Sequence, residues 1–185
     1  MKEVLQFIEE IERLKFIPRS GWQYYGIKEP ESVAEHSFLL TFLCLIVGLK
    51  LIKSGEDIDL KKLLIMSIIH EIGEVRIGDI HLIAKEYIGH ESVEIAERKV
   101  AYDLLKNANL DELIEIYDEF LKGETKEAIL VRACDKLELL IQAYLYKKIG
   151  YTNIDEFFNA RKNIEDIEKI EILDNILREI RSLGL

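Results

Sequence analysis

Apolar residues recur at helical spacing along almost the whole chain, and this periodicity restricts the fold more than any other feature of the sequence. No segment alternates apolar and polar residues over the length of a strand. The 185 residues include only two prolines and ten glycines, so few positions would interrupt a long helix. We therefore predict an all-α protein, a bundle of about seven to nine helices that forms a single domain over residues 1–185.

Capping residues and glycines predict where the helices begin and end. The predicted helices cover 2–14, a segment that begins at Ser32, 59–71, a segment that begins near Ala84, 91–106, 111–122, 125–149, 155–161 and 164–182. Ser32-Val33-Ala34-Glu35 has the pattern of a capping box, while Asp59 and Thr125 are the predicted N-caps of later helices. We expect Gly73 to end the third helix. Residues 15–31 contain both prolines and several aromatic residues, and are predicted to form a loop.

Charge and composition favour a soluble, cytoplasmic protein that does not bind nucleic-acid polymers. The formal net charge is −10, whereas a nonspecific nucleic-acid surface needs clustered basic residues. Cys44 and Cys134 are not arranged as a CxxC motif, which fits a reducing compartment. The N-terminus lacks the apolar core of a signal peptide. The most apolar run, residues 37–52, is interrupted by polar residues and is shorter than a comfortable membrane span.

The segment IIHEIGEVRIGDI, residues 68–80, carries more charge than a hydrophobic core helix would tolerate without a reason. Its ionisable residues include His70, Glu71, Glu74 and Asp79. His36 and Asp135, on two other predicted helices, are candidates to join His70 and Glu71 around a metal. Two imidazoles and two carboxylates suit Mn, Fe, Co, Ni or Zn. Such a site would leave coordination positions for water and for a substrate oxygen.

Each candidate ligand also has a purely structural interpretation. A histidine such as His36, in the first turn of a helix, often serves as a cap or makes an ordinary polar contact. Asp135 has the oppositely charged neighbours Arg132 and Lys136, with which it would form surface ion pairs. His81 is interpreted as a loop or cap residue and is left out of the proposed ligand set.

Four local strings resemble the HD-domain phosphohydrolases, and more narrowly their 5′-deoxynucleotidase branch. They are PRSGW (18–22), PESVAEHS (30–37), HEIGEVRIGDI (70–80) and RACDKLELLIQA (132–143). The resemblance implies an HD-type helical bundle. It also implies a metal-dependent phosphomonoesterase that hydrolyses 5′-(deoxy)nucleoside monophosphates to nucleoside and inorganic phosphate by attack of metal-activated water. A homodimer is implied as well.

The resemblance also assigns a role to each matching residue. One divalent transition metal (Mn, Co, Ni, Fe or Zn) would be held by His36, His70, Glu71 and Asp135. The attacking water would be oriented and deprotonated by Glu74 and Asp79, the 5′-phosphate would be bound by Arg19, and Trp22 would shape the nucleoside side of the pocket. The name-giving pair of the family is His-Asp, whereas this chain has His70-Glu71. The extra methylene of Glu71 requires a different rotamer or a small shift of its helix.

Two other functions remain open at this point. One is a phosphodiesterase or alarmone hydrolase of the same fold. Alarmone hydrolases usually have adjacent Glu-Asp acids after the HD pair, whereas here Glu74 is followed by Val75. The other is a noncatalytic helical module that binds a nucleotide or a protein, in which Glu71 marks lost chemistry. In such a module the aromatic residues Trp22, Tyr24 and Tyr25 would form an interface.

Overall fold

The structure, a computed structural model that describes residues 2–183, is built from helices. They are α1 (Lys2–Ile11), a 3₁₀ helix (Glu12–Phe16), α2 (Ser20–Tyr24), α3 (Val33–Lys53), α4 (Leu60–Ile69), α5 (Glu74–Ile77), α6 (Leu82–Ile88), α7 (His90–Asn107), α8 (Glu112–Lys122), α9 (Lys126–Lys148), α10 (Asp155–Asn159), α11 (Arg161–Ile164) and α12 (Glu171–Ser182). Within residues 2–183 the only β-type pairing is an isolated bridge between Pro18 and Ser32. The prediction of an all-α protein is confirmed.

The described part of the chain has twelve α-helices, more than the seven to nine predicted. The surplus comes from short helices, such as the five-residue α2 inside the predicted loop and the four-residue α5. The predicted helix over 164–182 is also interrupted, because α12 begins only at Glu171. Ile167 lies in the interrupting turn and is fully buried. Burial of this side chain stabilises the turn that interrupts the helix, although no glycine or proline marks that position in the sequence.

The predicted N-caps are confirmed. In the capping box, the Ser32 backbone N–H donates to Glu35 Oε2 at 2.7 Å and the Glu35 N–H donates to Ser32 Oγ at 3.2 Å. Asp59 Oδ1 accepts from the Lys62 N–H at 3.0 Å. Thr125 caps α9 through the Ala128 N–H. The capping box fixes the start of α3, which places His36 in the first turn of that helix.

Gly73 does not end a helix in the way that the sequence suggested. Helix α4 ends at Ile69, and Gly73 has φ −63° and ψ −29°, which are ordinary helical values. A side chain at Gly73 would meet α7 instead, because a Cβ placed there would lie 2.7 Å from both Cβ and the carbonyl O of Glu97. The glycine therefore permits a close approach of the turn 70–73 to α7.

The chain forms two compact units, each assembled from two separate stretches of sequence. Unit 1 comprises the residues up to Phe38 together with Ile68–Asp118, and unit 2 comprises Leu39–Ser67 together with the residues from Glu119 onward. In unit 1, α5 and α6 pack on α7, and α1 contacts both α7 and the 3₁₀ helix. In unit 2, α10, α11 and α12 all pack on α9. That residues 1–185 form one domain stays a prediction.

Helix α3 is apolar on more than one face. Among the described helices it alone is long and apolar enough to cross a membrane by length and composition, a test that core helices of soluble proteins also pass. The apolar run 37–52 thus lies within a helix of 21 residues. One face of α3 is fully buried and includes His36, Leu40, Cys44 and Val47. A second, exposed stripe is formed by Phe38, Phe42, Ile46 and Leu49.

Candidate active site

Two buried imidazoles face each other where α3 begins and where the chain leaves α4. The Nε2 atoms of His36 and His70 are 3.3 Å apart, and their ring centroids are 5.4 Å apart. Both residues are buried. Two nitrogens that each lie about 2.1 Å from a shared ion would be roughly 3.0–3.4 Å apart, so the observed spacing fits a common metal.

Glu71 brings a carboxylate to the same place. Its Oε1 lies 3.6 Å from His70 Nε2, and one donor atom of each of His36, His70 and Glu71 lies within 4.8 Å of the others. This set of two imidazoles and a carboxylate, without a thiolate, is the type that binds divalent transition metals. The three residues of unit 1 therefore fit a divalent cation, and the longer glutamate still reaches the histidines.

Arg19 lies at this cluster, and its role in binding phosphate stays a prediction. Its Nη1 donates to Glu71 Oε1 at 3.0 Å, and both side chains are largely buried. Backbone pairing holds the segment in place, because the Arg19 N–H donates to the carbonyl of Glu31 at 2.9 Å and the Val33 N–H donates to that of Ile17 at 2.8 Å. The loop that carries Arg19 is thus tied to the start of α3.

Glu74 and Asp79 lie beside these residues and not among the candidate ligands. Glu74 is the first residue of α5 and is only 2% exposed, and within residues 2–183 no hydrogen-bond partner lies near its Oε2. Burial, together with the negative charges of Glu71 and Asp79, raises the pKa of Glu74 well above its usual value. Asp79 Oδ2 accepts the Ser20 N–H at 2.7 Å, which joins the Asp79 loop to the start of α2. That Glu74 and Asp79 orient and deprotonate the attacking water stays a prediction.

Trp22 is a buried residue of α2. It is 1% exposed, and its indole N–H donates to Glu31 Oε1 at 2.9 Å. Trp22 follows Arg19, the predicted phosphate-binding residue, by three positions in the sequence. Its ring is packed into the core of unit 1. The assignment of Trp22 to the nucleoside side of the pocket stays a prediction.

Asp135, the fourth predicted ligand, belongs to unit 2, where it lies near the middle of α9 and is partly buried. Arg132 and Lys136, the two cations considered as its partners, make other contacts. Arg132 donates to the carbonyls of Phe120 and Leu121 at 3.1 and 2.7 Å. Lys136 pairs with Asp166. The structural interpretation of Asp135 as the partner of these two cations therefore loses its support.

Two charged residues near the site were missed by the sequence analysis. Lys85 Nζ on α6 lies 3.3 Å from Glu97 Oε1 on α7. Burial opposes the charge of Lys85, yet the carboxylates of Glu97 and Glu71 raise the pKa of Lys85. Burial also raises the pKa of Glu97. No sequence motif marks either residue. The close approach of Gly73 to Glu97 brings the pair next to the turn 70–73.

Carboxylates outnumber cations in this part of unit 1. The carboxylates are those of Glu71, Glu74, Asp79 and Glu97, and the cations are those of Arg19 and Lys85. Acids therefore outnumber bases at the site, and a bound divalent cation would offset that excess. The charge of the site and its donor set thus point to the same kind of ion.

Comparisons with known proteins show which family this chain resembles. A family model described as HD domain matches residues 11–175. A 5′-deoxynucleotidase of Dictyostelium discoideum is 29% identical over 80% of this chain and 80% of its own length. A 5′-deoxynucleotidase of Saccharomyces cerevisiae is 30% identical over 89% of this chain and 70% of its own length. A solved structure of a conserved hypothetical protein from Pyrococcus furiosus superposes with a TM-score of 0.84 and 39% identity, over 96% of this chain and 99% of that chain.

Proposed function

The chain belongs to the HD domain family, within the branch of the 5′-deoxynucleotidases, and we propose that it is a metal-dependent phosphomonoesterase. Its substrates are 5′-(deoxy)nucleoside monophosphates, which it hydrolyses to nucleoside and inorganic phosphate. The observation that carries the proposal is the grouping of His36, His70 and Glu71 with Arg19 at 3.0 Å from Glu71. A cation-binding set next to a guanidinium is suited to a phosphoryl group.

The proposed metal ligands are His36, His70 and Glu71 of unit 1 and Asp135 of unit 2. Support for Asp135 comes from the family resemblance and from the engagement of Arg132 and Lys136 with other partners. The ion is a divalent transition metal, one of Mn, Co, Ni, Fe and Zn. When bound, it would polarise a phosphoryl oxygen and lower the pKa of a water molecule.

The residues around the ligands supply the rest of the chemistry. Arg19 has five N–H donors in a planar fork, and the bond from Nη1 to Glu71 keeps that fork at the site. It binds the 5′-phosphate and stabilises negative charge in the transition state. Glu74 accepts a proton from the attacking water, and Asp79, held by the Ser20 N–H, orients that water. No covalent nucleophile takes part.

Phosphate release from a panel of 5′-deoxynucleotides and 5′-ribonucleotides tests this function. The metal-stripped protein is reloaded separately with Mn, Co, Ni, Zn or Mg beside a chelated control. We expect metal-dependent release. Changing His70 to Ala should abolish both metal retention and turnover, whereas Glu74→Gln should retain metal and slow hydrolysis by roughly 10²–10⁴. Glu112→Gln, at the exposed start of α8, is the matched control and should match the wild type.

The alternatives give different outcomes in the same assay. A protein that binds metal but releases no phosphate from monoesters, yet cleaves a cyclic nucleotide or an alarmone, would be a diesterase or pyrophosphohydrolase. A protein that retains no metal and hydrolyses none of these substrates would be the noncatalytic module. Either result would refute the phosphomonoesterase assignment.

The proposed assembly is a cytoplasmic homodimer, in which a second copy of the chain covers the exposed stripe on α3. The opposite face of this helix buries His36 and Leu40, as a core helix does, so burial by protein explains the apolar stripe better than lipid. Light scattering after gel filtration should give a dimer for the wild type and a monomer for Phe42→Glu. Co-sedimentation of the wild type with lipid vesicles would contradict the cytoplasmic assignment.

A further inference from the structure

Helix α2 buries one aromatic side chain and exposes another. Trp22 is 1% exposed and its indole N–H is bonded to Glu31, whereas Tyr24 is 56% exposed. A ligand that approaches α2 from solvent would therefore meet the ring of Tyr24 and not the ring of Trp22. An aromatic face in contact with water is a surface on which a flat apolar group can stack.

Tyr24 is already in contact with a second ring. Its ring centroid lies 5.0 Å from that of His81, and the two ring planes are inclined by 33°. Tyr25 supports Tyr24 from the side, with centroids 5.3 Å apart and nearly perpendicular planes. The side chain of His81 caps α6, because its Nδ1 accepts the Ala84 N–H. This hydrogen bond holds the ring in place. The two rings thus form a supported aromatic surface, here called the Tyr24–His81 platform.

Each ring of the platform belongs to a segment that also carries a proposed site residue. His81 follows Asp79 by two residues, and Tyr24 ends the helix that Arg19 precedes. The hydrogen bond from the Ser20 N–H to Asp79 Oδ2, 2.7 Å long, holds these two segments together. Arg19 is the N-cap of α2, so a rise of about 1.5 Å per residue separates its backbone from that of Tyr24 by roughly 7.5 Å along the axis, a separation that a nucleotide can span from phosphate to base.

We propose that the Tyr24–His81 platform stacks the nucleobase of the substrate while Arg19 binds its 5′-phosphate. This assignment rests on the proposed function. Stacking recognises the face of a base and not its hydrogen-bonding edge, and every base has such a face. The platform therefore predicts an enzyme that accepts all bases and binds purines more tightly than pyrimidines because of their larger rings.

The test compares a 5′-deoxynucleotide with 2-deoxyribose 5-phosphate, which has the same sugar and phosphate but no base. In Tyr24→Ala we expect the ratio of kcat/KM for dAMP to kcat/KM for 2-deoxyribose 5-phosphate to fall roughly tenfold, mostly through the KM of dAMP. Tyr24→Phe should restore the ratio. His81→Asn keeps a side-chain acceptor for the Ala84 N–H but removes the ring, and should lower the ratio in the same direction.

Tyr87→Ala is the matched control, since Tyr87 lies on α6 and is 89% exposed; it should leave the ratio at the wild-type value. An unchanged ratio in both Tyr24→Ala and His81→Asn would overturn the proposal. Equal losses on both substrates would also overturn it, because they would show a structural role. Failure of the proposed function is distinguishable, since the wild type would then hydrolyse neither substrate. In that case calorimetric binding of dAMP decides, and equal affinity of the wild type and Tyr24→Ala would refute stacking.

Discussion

Replacement of Gly73 by alanine should destabilise the protein through one identifiable contact. The new Cβ would lie 2.7 Å from Cβ and O of Glu97 and 2.8 Å from its Cα. Rotation of the Glu97 side chain moves none of these atoms, so α7 must shift by about 0.8 Å to restore a normal separation of about 3.5 Å. Overpacking of this kind costs about 1–3 kcal/mol, partly offset by about 0.4–1 kcal/mol from the reduced freedom of the unfolded chain.

The expected net loss is about 1–2 kcal/mol, or a Tm roughly 2–8 °C lower for a chain of this length. Gly21→Ala is the matched control, because Gly21 lies in α2 and has no neighbouring atom within 4 Å of an added Cβ. Thermal unfolding of both variants should show Gly73→Ala well below Gly21→Ala. The double variant Gly73→Ala/Glu97→Ala should show no rescue, since alanine keeps the obstructing Cβ and backbone. Equal Tm values for the two glycine variants would refute the close-approach argument.

Two further predictions concern the acids of the site. Glu71→Asp should retain metal but raise the KM for deoxynucleotides roughly tenfold, because the shorter side chain no longer reaches the Arg19 guanidinium that it now holds at 3.0 Å; an unchanged KM, measured beside metal content, would contradict this. The raised pKa of Glu74 means that the folded, metal-free protein binds a proton that the unfolded chain releases above its usual pKa of 4.5. Stability of the chelated wild type should therefore fall as the pH rises from about 4.5 towards the raised pKa, whereas Glu74→Gln should lack this component. Urea midpoints measured at several pH values check the difference, and parallel profiles for the two proteins would be evidence against it.

The helix starts could be predicted because the signals are local. Ser32 and Glu35 exchange their hydrogen bonds within four residues, and Asp59 bonds to the Lys62 N–H three residues on. The role of Gly73 could not be predicted in the same way, since its neighbour Glu97 follows 24 residues later in the sequence. Helix α2 escaped detection for a related reason. Its five residues are too few to be stable alone, and the burial of Trp22 depends on the rest of unit 1.

The residues of the candidate site differ in the same way, since some carry a local sequence signal and others do not. Residue type and position nominated His36, His70, Glu71 and Asp135 as candidates, and the structure brings the first three together within unit 1. Lys85 and Glu97 carry no such mark, since a charged residue on a helix is usually solvated. Their part in the site follows from the packing of α5 and α6 on α7. The sequence therefore reveals donor atoms more readily than the charges that surround them.

Those surrounding charges bear on how an acidic protein binds an anion. The chain has a net charge of −10 and acids outnumber bases near the site, so on the proposed function an anionic substrate needs positive charge besides that of Arg19. A bound divalent cation would offset that local excess and leave the Arg19 guanidinium to act on the phosphoryl oxygens. We therefore expect the metal to contribute to substrate affinity as well as to the activation of water. Glu71 connects the two requirements, since its carboxylate is a candidate metal ligand and also accepts a hydrogen bond from Arg19, the proposed phosphate-binding residue.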